Sequence, residues 1–432
     1  MKFSICNLGC KVNACEAESI SEALSAKGWT RSIHEEDSDA VLIFTCAVTN
    51  TASAKSRQML HKARHANPKA VTAVVGCYAQ MQDGLLDDAD IIVGSSHKNE
   101  LPDLLEQFQQ TGEKIRVIED LKETPFESMP LDHFEDHSRG VLKIQDGCNQ
   151  FCTYCIIPYV RGRERSLDPD TAVANAERVA QNDSEIVLTG IHTGRYGKEY
   201  NVSLAQLMKR ILKEVPALER LRISSIEMTE VSDELIQLIK EEPRIAHHLH
   251  IPLQSGCDEI LQKMGRPYDT AAYYAKIEQI RREIPHIAIS CDVIVGFPGE
   301  SEEMFEKTYA FLEKCKFAFL HVFPYSLREG TRAAAMAGQI DPKIKKERAE
   351  KCRRLSMKLE DAYQQAQIGR MAEVITERPH GNDTPGHTSD YIHVVIPGQI
   401  YSRGSLVQVR LKEYRSRQMI GETESVKNDE VI

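Results

Sequence analysis

No stretch of this chain is apolar for long enough to cross a bilayer. Its opening residues, Met1-Lys2-Phe3-Ser4-Ile5-Cys6, lack the apolar segment and cleavage site of a secretory signal. Both absences lead to the expectation of a cytoplasmic protein with no membrane partner. In a reducing compartment, twelve cysteines are expected to serve metal or redox chemistry rather than disulfides. Positive charge is in deficit too, with a formal net charge of −10. Any RNA contact must therefore come from local basic patches. What remains is ordinary for a globular chain. Its 432 residues, 41% hydrophobic and 27% charged, are enough for two or three domains with real cores.

The chain is organised around Cys148-Asn149-Gln150-Phe151-Cys152-Thr153-Tyr154-Cys155. Three cysteines in a CxxxCxxC spacing can turn their thiols to one side of a short loop. Thiolates are soft ligands, suited to zinc or an iron–sulfur cluster. A structural zinc site would want a fourth ligand from a second CxxC or HxxxH pair. No such pair follows, and no histidine occurs between Cys155 and His192. Three ligands on a four-iron cube leave one iron open, the arrangement a catalytic cluster needs. A loop of free cysteines or a lone zinc knuckle is the competing reading.

This stretch resembles the signature of the radical S-adenosylmethionine enzymes. The resemblance implies a [4Fe–4S] cluster on Cys148, Cys152 and Cys155. Its open iron would chelate the methionine part of S-adenosylmethionine, which one electron then splits to a 5′-deoxyadenosyl radical.

Residues 1–115 read as alternating strands and helices, an α/β layered pattern. Strands are expected over Lys2–Leu8, Ala40–Thr45, Val71–Gly76 and Ile91–Val93, with helices over Ala17–Lys27 and Ala54–Ala66. Cys10, Cys46 and Cys77 each follow one of the first three strands. In open α/β sheets the carboxyl ends of strands converge on the binding crevice. A second three-thiol site is therefore plausible, and simple burial of each cysteine is the alternative. The segments Gly9-Cys10-Lys11-Val12-Asn13, Thr45-Cys46-Ala47-Val48-Thr49 and Gly76-Cys77-Tyr78-Ala79-Gln80 resemble the N-terminal domain of the methylthiotransferases. That likeness implies a second [4Fe–4S] cluster on Cys10, Cys46 and Cys77. Cys6 and Cys15 have no counterpart there and are read as a strand residue and a helix-start residue. The basic run Lys55, Arg57, His61, Lys62, Arg64, His65 and Lys69 is either a solvated helix face or an RNA backbone contact.

Residues 116–138 are acidic and irregular and read as a linker. From about 139, six strand-like runs recur with helices between: Gly140–Gln145, Glu185–Gly190, Leu221–Ile226, His248–Leu253, Ile287–Gly296 and Phe317–Pro324. This spacing predicts a parallel barrel or partial barrel, with function at the carboxyl ends of its strands. The family fold, a partial (β/α)6 barrel, agrees. Cofactor contacts are expected at Tyr154, Gly190, Glu227, Gln254 and Gly296, with an ordinary surface carboxylate as the competing reading of Glu227. Phe323-Pro324-Tyr325-Ser326 resembles the family's last-strand motif. Arg161, Arg163 and Arg165 point either to anion contacts or to structural pairing with acidic neighbours. His247, His248 and His250 are read as packed strand residues, and Cys257, Cys291, Cys315 and Cys352 as thiols outside any cluster.

A long charged helix, Lys343–Ala366, leads out of the barrel. Beyond it, Met371–Thr376, Tyr391–Val395 and Leu406–Leu411 predict a small OB-like β-barrel over residues 367–432. It resembles the TRAM domain, an RNA-binding module. Arg403, Arg410, Lys412, Arg415 and Arg417 would form its basic surface, with Tyr391, Tyr401 and Tyr414 for stacking on bases.

Taken together, the three likenesses imply a radical enzyme that adds a methylthio group to an unactivated carbon of a tRNA adenosine. Its cofactors would be two [4Fe–4S] clusters and S-adenosylmethionine. Its partners would be tRNA, an electron donor such as flavodoxin or ferredoxin, and a sulfur source. Gly9-Cys10-Lys11-Val12-Asn13 and His321-Val322-Phe323-Pro324-Tyr325-Ser326 most resemble the branch acting on N6-threonylcarbamoyladenosine. The alternatives are action on isopentenyladenosine, action on a ribosomal-protein aspartate, and a non-enzymatic redox-sensing RNA-binding protein.

Overall fold

A computed structural model describes residues 1–81, 84, 86–132 and 139–423. The N-terminal unit is a six-stranded sheet, all parallel, flanked by helices. Its strands, in spatial order, are Thr30–Arg31, Lys2–Asn7, Ala40–Thr45, Val71–Gly76, Ile91–Val93 and Ile115–Val117. Ala40–Thr45 and Val71–Gly76 are buried at all six positions, as central parallel strands covered on both faces must be. The chain order reverses at Lys2–Asn7, so the crevice lies between its carboxyl end and that of Ala40–Thr45. Cys10 and Cys46 emerge there.

The first helix runs Lys11–Ala26, six residues earlier than the apolar pattern predicts, and starts directly after Cys10. Cys10 makes no side-chain capping bond, so no capping residue betrays this start. Cys15 is consequently inside the helix. Its thiol donates to the Val141 carbonyl at 3.6 Å. The segment read as a linker from 116 is also corrected. Ile115–Val117 pairs with Ile91–Val93 as the sixth strand, and Leu121, Met129 and Leu131 are buried. The remaining linker residues 133–138 lie outside the described residues.

The middle unit has six parallel strands in chain order. Gly140–Lys143, Glu185–Thr189 and Arg220–Ile223 form one sheet; His248–His250, Ala288–Val295 and Phe319–Pro324 form another. The Leu221–Ile245 bridge and the bond from Ile226 N–H to the His250 carbonyl, at 3.0 Å, join the two halves. The result is a partial barrel. Its helices follow from sequence: Leu204–Glu214 carries a capping box of Ser203 with Gln206, and buries Leu204, Leu207, Met208 and Ile211 at helical spacing. No helix among the described residues is long and apolar enough to cross a membrane.

The helix Pro342–Gln365 leads to a closed five-stranded barrel of Met371–Thr376, Thr384–Thr388, His393–Ile396, Leu406–Arg415 and Gln418–Thr423. It docks on the middle unit through buried arginines. Glu185 pairs with Arg220 and Arg222, and their guanidinium groups donate to the carbonyls of His387 at 3.2 Å and Ser389 at 3.0 Å.

Candidate active site

The loop of Cys148, Cys152 and Cys155 is clamped on several sides. Gly147 has φ +71°, and a β-carbon there would meet the Arg163 carbonyl oxygen at 1.9 Å, so only glycine fits. Thr153 donates through N–H to the Met264 carbonyl at 2.9 Å and through its hydroxyl to that of Lys263 at 2.8 Å. All three thiols line one cavity together with Tyr154, Glu227 and Gln254. Burial, with the neighbouring Cys152, pushes the Cys155 thiol up to about 12. Burial also raises Cys152, against the pull of Arg266, whose Nη1 lies 3.4 Å from its sulfur. Burial of Cys152 and Cys155 thus disfavours their bare thiolates, which a bound metal would stabilise.

Cys10, Cys46 and Cys77 are brought together by cross-links between their loops. The Asn13 amide donates to the Thr45 carbonyl at 2.8 Å, and the Thr45 hydroxyl accepts from Tyr78 N–H at 3.2 Å. Burial raises Cys46 to about 11, and Cys77 and Cys10 add to the rise. Burial raises Cys77 as well, opposed by Arg161, whose Nε donates to its sulfur at 3.1 Å.

Arg161 is fully buried, in a charge cluster that joins the N-terminal and middle units. Glu16 accepts from Lys98 at 2.8 Å, Lys143 at 2.7 Å and Arg161 at 2.7 Å, while Lys143 also pairs with Asp146 at 2.8 Å. Burial alone would raise the Glu16 carboxyl, yet Arg161, Lys143 and Lys98 hold it well below the usual range. Structural pairing thus describes Arg161, and also Arg165, which reaches Asp146 at 3.4 Å.

Three cavities adjoin. One holds Cys148, Cys152 and Cys155; a second holds Cys10 with Gly190; a third runs from Cys155 to Val48 and Thr49, just past Cys46. Asp292, within the fifth barrel strand, lines all three. The cavity of Cys148, Cys152 and Cys155 thus adjoins that of Cys10, while Cys46 is half-buried and Cys77 buried. Six thiols in two sets of three, with no fourth protein ligand in either motif, are a donor set that fits two four-iron cubes. Among the described residues no three His, Cys, Asp or Glu side chains close around a single metal ion.

Of the other expected contacts, Tyr154, Glu227 and Gln254 reach the cavity of Cys148, and Gly190 that of Cys10. Glu227 is neither free nor a plain surface group, because Arg266 pairs with it. Gly296 does not join them. Its N–H donates to Glu300 at 2.6 Å and its open side faces Lys345. Arg266, His192 and Asp292 escaped the sequence reading. His192 sits with Nδ1 3.4 Å from the Cys148 sulfur and Nε2 2.7 Å from Glu230. Burial lowers its pKa, but these two contacts carry it up to about 10. No spacing rule joins these three to the cysteines; only the barrel does.

The expected basic surfaces are largely neutralised. Lys62 pairs with Glu35 and Arg64 with Asp90, while Lys55, His61, His65 and Lys69 stay exposed. In the C-terminal barrel Arg403 pairs with Asp183, Lys412 with Glu422, Arg415 with Glu413 at 3.9 Å, and Arg417 with Asp361, while Arg410 donates to the Gly369 carbonyl. Tyr414 donates to Asp361 and Tyr401 to Gln399. Tyr391 is not on the outer surface but lines the cavity of Cys10. Cys257, Cys291, Cys315 and Cys352 are buried thiols outside both sets.

Comparison with known proteins bears on this arrangement. Residues 142–312 match the radical SAM superfamily, and residues 2–94 match a family described as uncharacterized protein family UPF0004. Over 94% of its length the chain is 39% identical to the threonylcarbamoyladenosine tRNA methylthiotransferase of Bacillus subtilis (strain 168), covering 92% of that protein. The chain belongs to the radical SAM methylthiotransferase family. A further relative, tRNA-2-methylthio-N(6)-dimethylallyladenosine synthase of Desulfitobacterium hafniense (strain Y51), is 35% identical over 96% of this chain and 95% of its own. Among solved structures, the radical S-adenosylmethionine methyltransferase TsrM from Kitasatospora setae shares the fold, with TM-score 0.56 and 14% identity over 77% of this chain and 75% of that one.

Proposed function

We propose that this methylthiotransferase adds a methylthio group to C2 of N6-threonylcarbamoyladenosine at position 37 of tRNA, beside the anticodon. The observation that carries this is that the cavity of Cys10 and the cavity of Cys148, Cys152 and Cys155 share Ser225 and Asp292 in their walls. Relatives named for that substrate reach 36–39% identity, and those named for the dimethylallyl substrate 32–35%.

Cys148, Cys152 and Cys155 would hold one [4Fe–4S] cluster, and Cys10, Cys46 and Cys77 would hold the other. With S-adenosylmethionine bound, these groups supply a radical able to remove hydrogen from an unactivated carbon, together with the sulfur and methyl to be transferred. The chain itself binds, orients and excludes water. Tyr154 and Gln254 flank the cofactor cavity, and Gln254 presents its backbone at φ +71°. Glu227 and Arg266 form a charged pair on the cavity wall, suited to the polar groups of the cofactor. Arg161 donates to the Cys77 sulfur and ties that thiol to the middle unit. The domains run 1–117, 139–366 and 367–432, with the last as the tRNA-contacting module. Its partners are a flavodoxin- or ferredoxin-type electron donor and a separate sulfur source, and the work is done in the cytoplasm.

Mass spectrometry of tRNA nucleosides from a deletion strain tests this. Loss of 2-methylthio-N6-threonylcarbamoyladenosine, with its unmethylthiolated precursor accumulating, is the expected result. Loss of the isopentenyl derivative instead, or of neither, overturns the substrate assignment.

A further inference from the structure

The cavity of Cys10 is built by all three units. Lys11 comes from the start of the first helix, Arg222 and His248 from the middle barrel, and Tyr391 from the C-terminal barrel. Tyr391 holds φ +71°, a conformation a bulky residue adopts only when its surroundings enforce it. Its ring stacks on His248 with centroids 4.9 Å apart. The guanidinium groups of Arg222 and Arg139 lie over the same ring at 4.9 Å and 5.1 Å.

The charged groups of the wall are Lys11, Arg222 and Asp292. Arg222 pairs with Glu185 at 2.5 Å, and the Asp292 carboxylate lies 3.1 Å from His250 Nε2. Lys11 is on the same wall as Arg222. Among the described residues it has no hydrogen-bonded or ion-paired partner. His248 is 5% exposed, and its Nδ1 has no partner, while Nε2 contacts Ser290 at 3.0 Å. An unpaired ammonium and an unpaired imidazole nitrogen lining one cavity, with a helix starting at Lys11, make a site that lacks its anion.

We propose that Lys11 reads the substrate, pairing with the carboxylate on the N6 side chain of the target adenosine, while Tyr391 and His248 hold the rest of that side chain. This rests on the threonylcarbamoyladenosine reading above, since that side chain ends in a carboxylate and the isopentenyl one is wholly apolar. A bare ammonium left in the cavity disfavours the apolar group, so the same residue selects and rejects.

The test is the dissociation constant at fixed salt for one tRNA prepared with N6-threonylcarbamoyladenosine, with isopentenyladenosine and with plain adenosine at position 37. Wild-type protein is expected to prefer the threonylcarbamoyl form over plain adenosine by roughly tenfold or more, the scale of one charge-assisted pair. Lys11→Gln is expected to erase that preference and Lys11→Arg to keep it. A Lys11→Gln protein that retains the preference, or that weakens binding to both tRNAs equally as a lost phosphate contact does, overturns the proposal. A second measurement needs no variant. The free nucleoside with its carboxylate converted to carboxamide is expected to compete for wild-type protein at least about tenfold less well than the parent. Equal competition overturns the role of the charge. Wild-type preference for the isopentenyl tRNA instead sinks the substrate reading itself, whatever Lys11 does.

Discussion

Glu16 shows how much one buried carboxylate can organise. It satisfies Lys98, Lys143 and Arg161, and through Arg161 it bears on the Cys77 sulfur. Removing one partner of a buried ion pair leaves its charges uncompensated, at a cost of about 3–5 kcal/mol. Glu16→Ala is therefore expected to lower unfolding free energy by that order in urea titration; an unchanged midpoint would show that the cluster is not structural. None of this was legible beforehand, because Glu16 stands in a helix of mixed charge and its partners lie 82, 127 and 145 residues away. A second residue-scale effect concerns pH. Contacts with Glu100 and Glu119 push the His97 imidazole up to about 9 from its ordinary 6.5. The stability this adds is fully present below pH 6.5 and is lost as pH rises through about 9. Thermal melts of wild type and His97→Gln should diverge below pH 6.5 and converge above 9; parallel curves would show the contacts to be without effect.

Elements were legible where burial alone decides them. Ala40–Thr45, Val71–Gly76 and Ile91–Val93 are central parallel strands, and their unbroken apolar runs have the boundaries the sequence predicts. Strands that carry turn residues were not. Thr384–Thr388 holds Pro385 and Gly386, and Gln418–Thr423 is mostly polar, so neither has the alternation of a half-buried strand. Both exist because a barrel that closes must pair every edge. The cysteine loop is the element on which chemistry depends, and Gly147 is its tightest point. Gly147→Ala is expected to displace the Arg163 carbonyl and to lower iron content, read by chromophore absorbance after anaerobic purification. A fully loaded Gly147→Ala protein would mean that the loop shifts without consequence for its thiols.

Across the whole molecule, the site exists only by assembly. The N-terminal unit carries Cys10, Cys46 and Cys77, the middle barrel carries Cys148, Cys152 and Cys155, and Tyr391 of the C-terminal unit closes the cavity of Cys10. The motifs named both triplets, but their spacing does not set how the units that carry them pack; Asn13, Arg161 and the docked arginines do that. Ser326 and Arg328, after the last barrel strand, add to this by accepting from Asn50 N–H at 3.1 Å and donating to the Asn50 side chain at 2.6 Å. The direct measurement is iron content with Mössbauer spectroscopy on anaerobically purified protein, wild type against the Cys10→Ala/Cys46→Ala/Cys77→Ala variant. Two four-iron centres, about eight irons per chain, are expected in the wild type and one centre with about four in the variant. One centre in both proteins, or two in both, would mean that Cys10, Cys46 and Cys77 do not hold a cluster.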